Sequence, residues 1–212
     1  MEKFRGYTGK IAESEVLGET AKPEYEKKMA MEGYITYDQA MDLVKDFQPF
    51  QDPTDPYENR FPQDVHATLA DLLKLQNFSQ LRYYTAIDSP LDRLHSVDAF
   101  FELDLGNGQC MRVTLDMTQN PNKEDYKADV VFQWPRGGLS YEDPDDKSFW
   151  KDKVQEIAYQ LFEVFGQKID LTNLRSLTKE ELETSKQISE QQRQKRLLRS
   201  LNPRKRRLAH AS

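Results

Sequence analysis

Between His95 and Thr118 the chain alternates with period two on both sides of Gly106-Asn107-Gly108. Asn-Gly between two alternating runs is among the strongest local signals for a hairpin. Two antiparallel strands, 97–105 and 110–118, are therefore predicted to lie at the centre of the fold. Side chains alternate across a strand. One face of the first strand carries Asp98, Phe100, Glu102 and Asp104, and the other carries Val97, Ala99, Phe101, Leu103 and Leu105. On the second strand Arg112, Thr114, Asp116 and Thr118 share the polar face, with Met111, Val113, Leu115 and Met117 opposite. Carboxylates on a strand face either hold a cation or meet water, so a metal-dependent activity would belong to this hairpin.

Thr36-Tyr-Asp-Gln39 has the form of a capping box, and apolar Ala40, Met41, Val44 and Phe47 follow at helical spacing. A helix is predicted over 37–47, then a proline-rich linker over 48–62. Val65, Leu69, Leu72, Leu73 and Leu75 predict a second helix over 64–76. Residues 81–87 and 128–134 are β-prone, and 149–165 is amphipathic with Gly166 beyond its end. Thr178-Lys-Glu-Glu181 caps a further helical stretch over 178–200, poor in apolar residues and expected to be solvated. Glu24 to Met31 reads as a short charged helix.

Helices around a central hairpin suggest an α/β (α+β) domain. The expected organisation is a polar N-terminal arm over 1–35, an α/β core over 36–175, and a helical, basic C-terminal tail over 176–212. A hydrophobic content of 37% against 31% charged residues suits a modest core with polar flanks. No apolar run approaches the ~20 residues of a membrane span. The first residues lack the apolar stretch of a secretory signal, and the single Cys110 excludes an intrachain disulfide or a cysteine zinc cluster. These features lead us to expect a cytoplasmic, intracellular or intravirion protein, nuclear if the host is eukaryotic, with no membrane partner.

Two or three carboxylates with waters suit Mg²⁺, which prefers oxygen ligands and can activate water for attack on a phosphate. Asp98 and Asp116 can approach each other if the hairpin pairs regularly. An Asp at the start of one strand followed by an acid on the next resembles the core of the PD-(D/E)XK nuclease-like superfamily. The resemblance spans about 64–165 and implies a restriction-endonuclease-like fold, a small mixed sheet with a central β-hairpin flanked by helices. It implies Asp98 and Asp116 as Mg²⁺ ligands, with Glu102, His95 or the Met117 carbonyl as accessory groups. The family often has Pro before the first Asp, where this chain has Val97, and usually has Lys where it has Thr118. Lys127, Lys123 or Arg112 would then supply the missing cation. No phosphate loop ending in Gly-Lys-Ser/Thr and no Gly-x-Ser-x-Gly elbow competes with this site.

Residues 186–212 hold nine Lys or Arg against one acid, Glu190, which leaves residues 1–185 at −14 within a net charge of −6. The cations Arg193, Lys195, Arg196, Arg199, Arg204, Lys205, Arg206 and Arg207 are expected to bind nucleic acid, as such segments bind polyanions by counterion release. The expectation is thus a metal-dependent nuclease-like protein acting on or binding DNA or RNA. The alternative is a non-enzymatic viral or phage accessory protein whose arms bind partner proteins or nucleic acid and whose acidic strand face is solvated.

Overall fold

Residues 9–20, 35–50, 52–120 and 127–200 are described by a computed structural model. Among them, four strands form one mixed sheet in the order β1-β2-β3-β4: β1 Leu81–Thr85, β2 Ala99–Gly106, β3 Gln109–Thr118 and β4 Val130–Gln133. The first three run antiparallel to their neighbours and β4 joins β3 in parallel. Six α-helices among the described residues surround the sheet: α1 Gly9–Leu17, α2 Tyr37–Asp46, α3 Arg60–Leu72, α4 Pro90–His95, α5 Lys147–Lys168 and α6 Lys179–Ser200. The mixed α/β architecture expected from the sequence is present. No described helix is long and apolar enough to cross a membrane.

The hairpin forms as its alternation dictates. Ala99, Phe101 and Leu103 pair with Leu115, Val113 and Met111. Asn107 and Gly108 turn the chain with φ of 54° and 72°, the left-handed pair that a two-residue type I′ turn requires. The apolar face packs into the main core with Val65 and Leu69 of α3 and Val154, Ile157 and Leu161 of α5. Phe61, Trp134 and Trp150 close one end of that core through edge-on ring contacts, Phe61 to Trp134 at 4.9 Å and Phe61 to Trp150 at 5.5 Å. On the opposite face α2 and α4 bury Met41, Val44 and Leu91 against Tyr84 and Phe100, whose rings stack at 4.9 Å.

The capping box of α2 is complete: the Thr36 N–H donates to Gln39 Oε1, and the Gln39 N–H donates to Thr36 Oγ1. Helix α3 starts at Arg60, inside the stretch expected to be a linker, because Pro62 falls in its first turn, where a proline is tolerated. It stops at Leu72 rather than continuing to Gln76, because Lys74 turns left-handed with φ 56°.

Two further expectations are corrected. The described part of the N-terminal arm is no arm. Ala12, Val16 and Leu17 of α1 are buried in the main core, the Tyr83 hydroxyl donates to Leu17 O at 2.9 Å, and Thr85 Oγ1 donates to Gly18 O at 2.8 Å. Three apolar residues at spacings of four and one suffice, because the tertiary contacts rather than the helix's own pattern hold it. Nor is α6 merely solvated: Leu182 and Ser185 are buried, and Ile188 lies over Gly108 so closely that a Cβ there would stand 2.4 Å from Ile188 Cγ2. The helix expected over Glu24 to Met31 lies outside the described residues.

At the sheet edge, the ladder groups of β1 are already occupied. The Tyr83 N–H donates to Pro53 O at 2.8 Å, while the Gln48 side chain accepts from the Thr85 N–H at 3.0 Å and donates to Thr85 O at 2.9 Å.

Candidate functional site

The polar strand face is buried, not solvated. Asp98, Glu102, Asp104 and Asp116 are exposed by only 4%, 2%, 1% and 2%. A buried carboxylate needs a partner, and the partners found for Glu102 and Asp104 include basic side chains of this chain. Glu102 Oε2 meets Lys45 Nζ at 2.5 Å and Arg112 Nε at 2.6 Å, and Glu102 Oε1 meets Arg82 Nη1 at 3.2 Å. Burial alone would raise the Glu102 carboxyl, but Lys45 and Arg112 outweigh it and hold the group down at about 2. Burial lowers the Lys45 ammonium, against the pull of Glu102.

Asp104 ties three elements together. Its Oδ2 takes Arg82 Nη2 at 2.8 Å, and its Oδ1 takes the Gly106 N–H at 2.9 Å and the Ser185 hydroxyl at 2.6 Å. Ser185 Oγ in turn accepts the Gly108 N–H at 2.9 Å. The acidic hairpin is thus what α6 docks on.

The β2–β3 ladder begins at Ala99 and Leu115, with Asp98 just before β2 and Asp116 within β3. The Asp98 N–H donates to Leu115 O at 2.8 Å, and Asp98 Oδ2 accepts the Met117 N–H at 2.7 Å. Burial pushes the Asp98 carboxyl well above the usual carboxylate range, the nearby Asp116 adds to the rise, and the Met117 N–H opposes it.

The other expected members of a metal centre lie elsewhere. Glu102 is taken up by its three cations. His95 ends α4, with its ring edge-on to Tyr37 at 5.3 Å and its Nε2 at 3.4 Å from Ile35 O. Lys127 is exposed before β4, Arg112 is committed to Glu102, and Lys123 lies outside the described residues. Among the described residues no group of three or more His, Cys, Asp or Glu could hold a metal ion. Mg²⁺ keeps several waters, whereas both carboxylates of the remaining pair are shut from solvent, so these residues as folded do not fit a hydrated Mg²⁺ site.

A cavity of about 470 Å³ opens between α2, the strand face and α6. Its lining includes Lys45, Arg82, Glu102 and Arg112 from the buried cluster, and Lys186, Arg193 and Arg196 from α6. Arg193 reaches α2, donating to Asp42 O at 2.9 Å and meeting Asp46 Oδ2 at 2.5 Å, while Arg196 lies 3.5 Å from Asp42 Oδ1. Two of the expected nucleic-acid contacts are therefore partly engaged by the protein's own acids. Lys195 is exposed. The side chain of Arg199, together with Arg204, Lys205, Arg206 and Arg207, lies outside the described residues.

Lys45, Arg82 and Lys186 were not among the site residues the sequence suggested. Arg82, between Leu81 and Tyr83 in a β-prone run, carried a signal: a cation at an apolar strand's centre calls for a buried acid opposite. It pairs in register with Glu102. Comparison with known proteins gives no matching family model and no significant match among curated proteins or solved structures.

Proposed function

We propose that the protein binds nucleic acid along a cationic track that begins in the cavity and follows α6 toward the basic C-terminal segment. The observation that carries this reading is a cavity whose α6 wall contributes Lys186, Arg193 and Arg196, on a helix whose sequence continues into Arg204-Lys205-Arg206-Arg207. Basic side chains strung along one path are the electrostatic footprint of phosphate-backbone binding. Among the described residues one aromatic side chain, Tyr84, lines the cavity, and it is buried and stacked on Phe100, so these residues offer bases no stacking surface. Binding by this track is therefore salt-dependent and tolerant of sequence.

Hydrolysis is not part of this reading, because the Asp98 and Asp116 carboxylates are buried away from water. The test is fluorescence anisotropy with single-stranded DNA, single-stranded RNA and duplex DNA across a salt series. Replacing the four cations of residues 204–207 with Gln is expected to flatten the slope of log K against log salt by about 3 for single strands. An unchanged slope would overturn the track. Strand cleavage by the wild type in Mg²⁺ or Mn²⁺, lost in Asp116→Ala, would replace this reading with a catalytic one.

A further inference from the structure

The protein balances the charge of its own cavity. Among the described residues six acids meet the six cations that line it: Asp42, Asp52, Glu102 and Glu190 on the lining, and Asp104 and Asp46 through ion pairs with Arg82 and Arg193. As folded, the cavity end of the cationic track is therefore masked. On the α6 wall the masking acids, Asp42 and Asp46, come from α2.

The grip on α6 is uneven along its length. Its first half is anchored in the fold. Leu182 and Ser185 are buried, the Ser185 hydroxyl donates to Asp104 Oδ1 at 2.6 Å, and Ile188 lies against Gly108. Ser189 Oγ adds a hydrogen bond to Gly108 O at 3.2 Å. Residues 190–196, Glu-Gln-Gln-Arg-Gln-Lys-Arg, carry no apolar side chain. Among the described contacts they are held to α2 by two arginines. Arg193 Nη2 meets Asp46 Oδ2 at 2.5 Å and donates to Asp42 O at 2.9 Å, and Arg196 lies 3.5 Å from Asp42 Oδ1. Arg193 Nε is buried with no hydrogen-bond partner, so even this grip is incomplete.

Partly exposed ion pairs contribute little each and weaken in salt. Segments that bury no apolar surface open at the lowest cost. A carboxylate also presents to a guanidinium the same two-oxygen edge as a phosphate. Asp42 and Asp46 thus occupy donors that a nucleic-acid backbone also requires.

We propose that α2 and α6 form an autoinhibitory clasp, in which Asp42 and Asp46 stand in for phosphates on Arg193 and Arg196 until a strand displaces them and the turns of α6 beyond Ser189 lift from α2. The inference rests on the nucleic-acid reading above and names the regulation of that site. The anchored half, Leu182 to Ser189, stays on the hairpin, so opening leaves the sheet and its buried ion pairs intact.

The experiment closes the clasp covalently. Asp46→Cys and Gln192→Cys, in a Cys110→Ser background, are joined by a reducible bis-maleimide, and binding of single-stranded oligothymidylate is read by fluorescence anisotropy before and after reduction. The linked form is expected to bind about ten-fold more weakly than the same protein reduced, the size of two surface ion pairs. Spin labels on the same two cysteines are expected to move apart when the strand saturates the protein. Asp42→Asn with Asp46→Asn, which needs no cross-link, is expected to bind about ten-fold more tightly than wild type. Asp38→Asn, an exposed acid of α2 that holds no arginine among the described contacts, controls for charge alone and is expected to give a smaller gain. Equal affinity before and after reduction would overturn the clasp and leave the nucleic-acid reading standing, and so would a label distance that stays fixed on saturation. No binding by wild type, by the reduced form or by the double Asn variant would overturn the nucleic-acid reading, and the clasp with it.

Discussion

Asp98 holds Met117 by a hydrogen bond from the Met117 N–H to its Oδ2 at 2.7 Å, within a pocket that excludes water from both residues. The bond needs an acceptor oxygen, not a charge. Burial, then Asp116, raise the Asp98 carboxyl, so the folded state keeps a proton that the unfolded chain releases above its ordinary carboxylate pKa. The consequence is a stability penalty that is absent at acid pH and grows as pH rises toward the raised folded value. Asp98→Asn keeps an acceptor for Met117 and removes the penalty. Its Tm is expected to match the wild type near pH 4 and to exceed it increasingly from pH 5 to pH 8, as read by thermal melts across that range.

Glu102 has the opposite sign. Its folded pKa of about 2 lies below the ordinary carboxylate value of 4.5, so its contribution is fully present above pH 4.5 and is lost as pH falls toward 2. Removing the charge strands three cations beside the sheet. Glu102→Gln is expected to cost about 3 kcal/mol or more in urea unfolding at pH 7, with the difference from wild type shrinking below pH 4. An unchanged midpoint at pH 7 would mean that the cations do not depend on this carboxylate.

Gly108 and Ile188 share one contact between the hairpin turn and α6. Gly108→Ala meets both a positive φ of 72° and a Cβ position 2.4 Å from Ile188 Cγ2, and is expected to destabilise by about 2 to 4 kcal/mol. Ile188→Ala opens the space. The double variant is expected to recover at least about 1 kcal/mol relative to the sum of the single costs. Strict additivity in that double-mutant cycle would mean that turn and helix do not press on each other.

Asp46 competes for Arg193, which it meets at 2.5 Å on the partly exposed rim between α2 and α6. Asp46→Asn releases that guanidinium and removes a repelling charge. Affinity for a single strand is expected to rise by up to about five-fold, the value of one surface pair, and the gain should fade at high salt. A drop in affinity would assign Asp46 to the binding surface itself.

The hairpin, its two faces and both capping boxes were legible because each depends on residues within a few positions of one another. The register of β2 on β3 was legible for the same reason: a two-residue turn fixes it across the hairpin. Helix α1 was not, since its three buried residues acquire meaning only against Tyr83 and the main core. Pro62 misled because a proline reads alike in a linker and in a helix's first turn. The cavity could not be read at all. Its cations come from positions 45, 82, 112, 186, 193 and 196, brought together only when α2 and α6 pack on the polar strand face. That face was read for the metal its acids might hold, and its acids hold Lys45, Arg82 and Arg112 instead.

The backbone groups of β1 that Pro53 and Gln48 occupy bear on how copies of this protein meet one another. A bare edge strand is a template on which a second sheet can grow. Here a neighbouring molecule would first have to displace Pro53 O from the Tyr83 N–H and the Gln48 amide from Thr85. The sheet is thereby closed to addition at its first strand, a safeguard against aggregation built from one proline carbonyl and one glutamine.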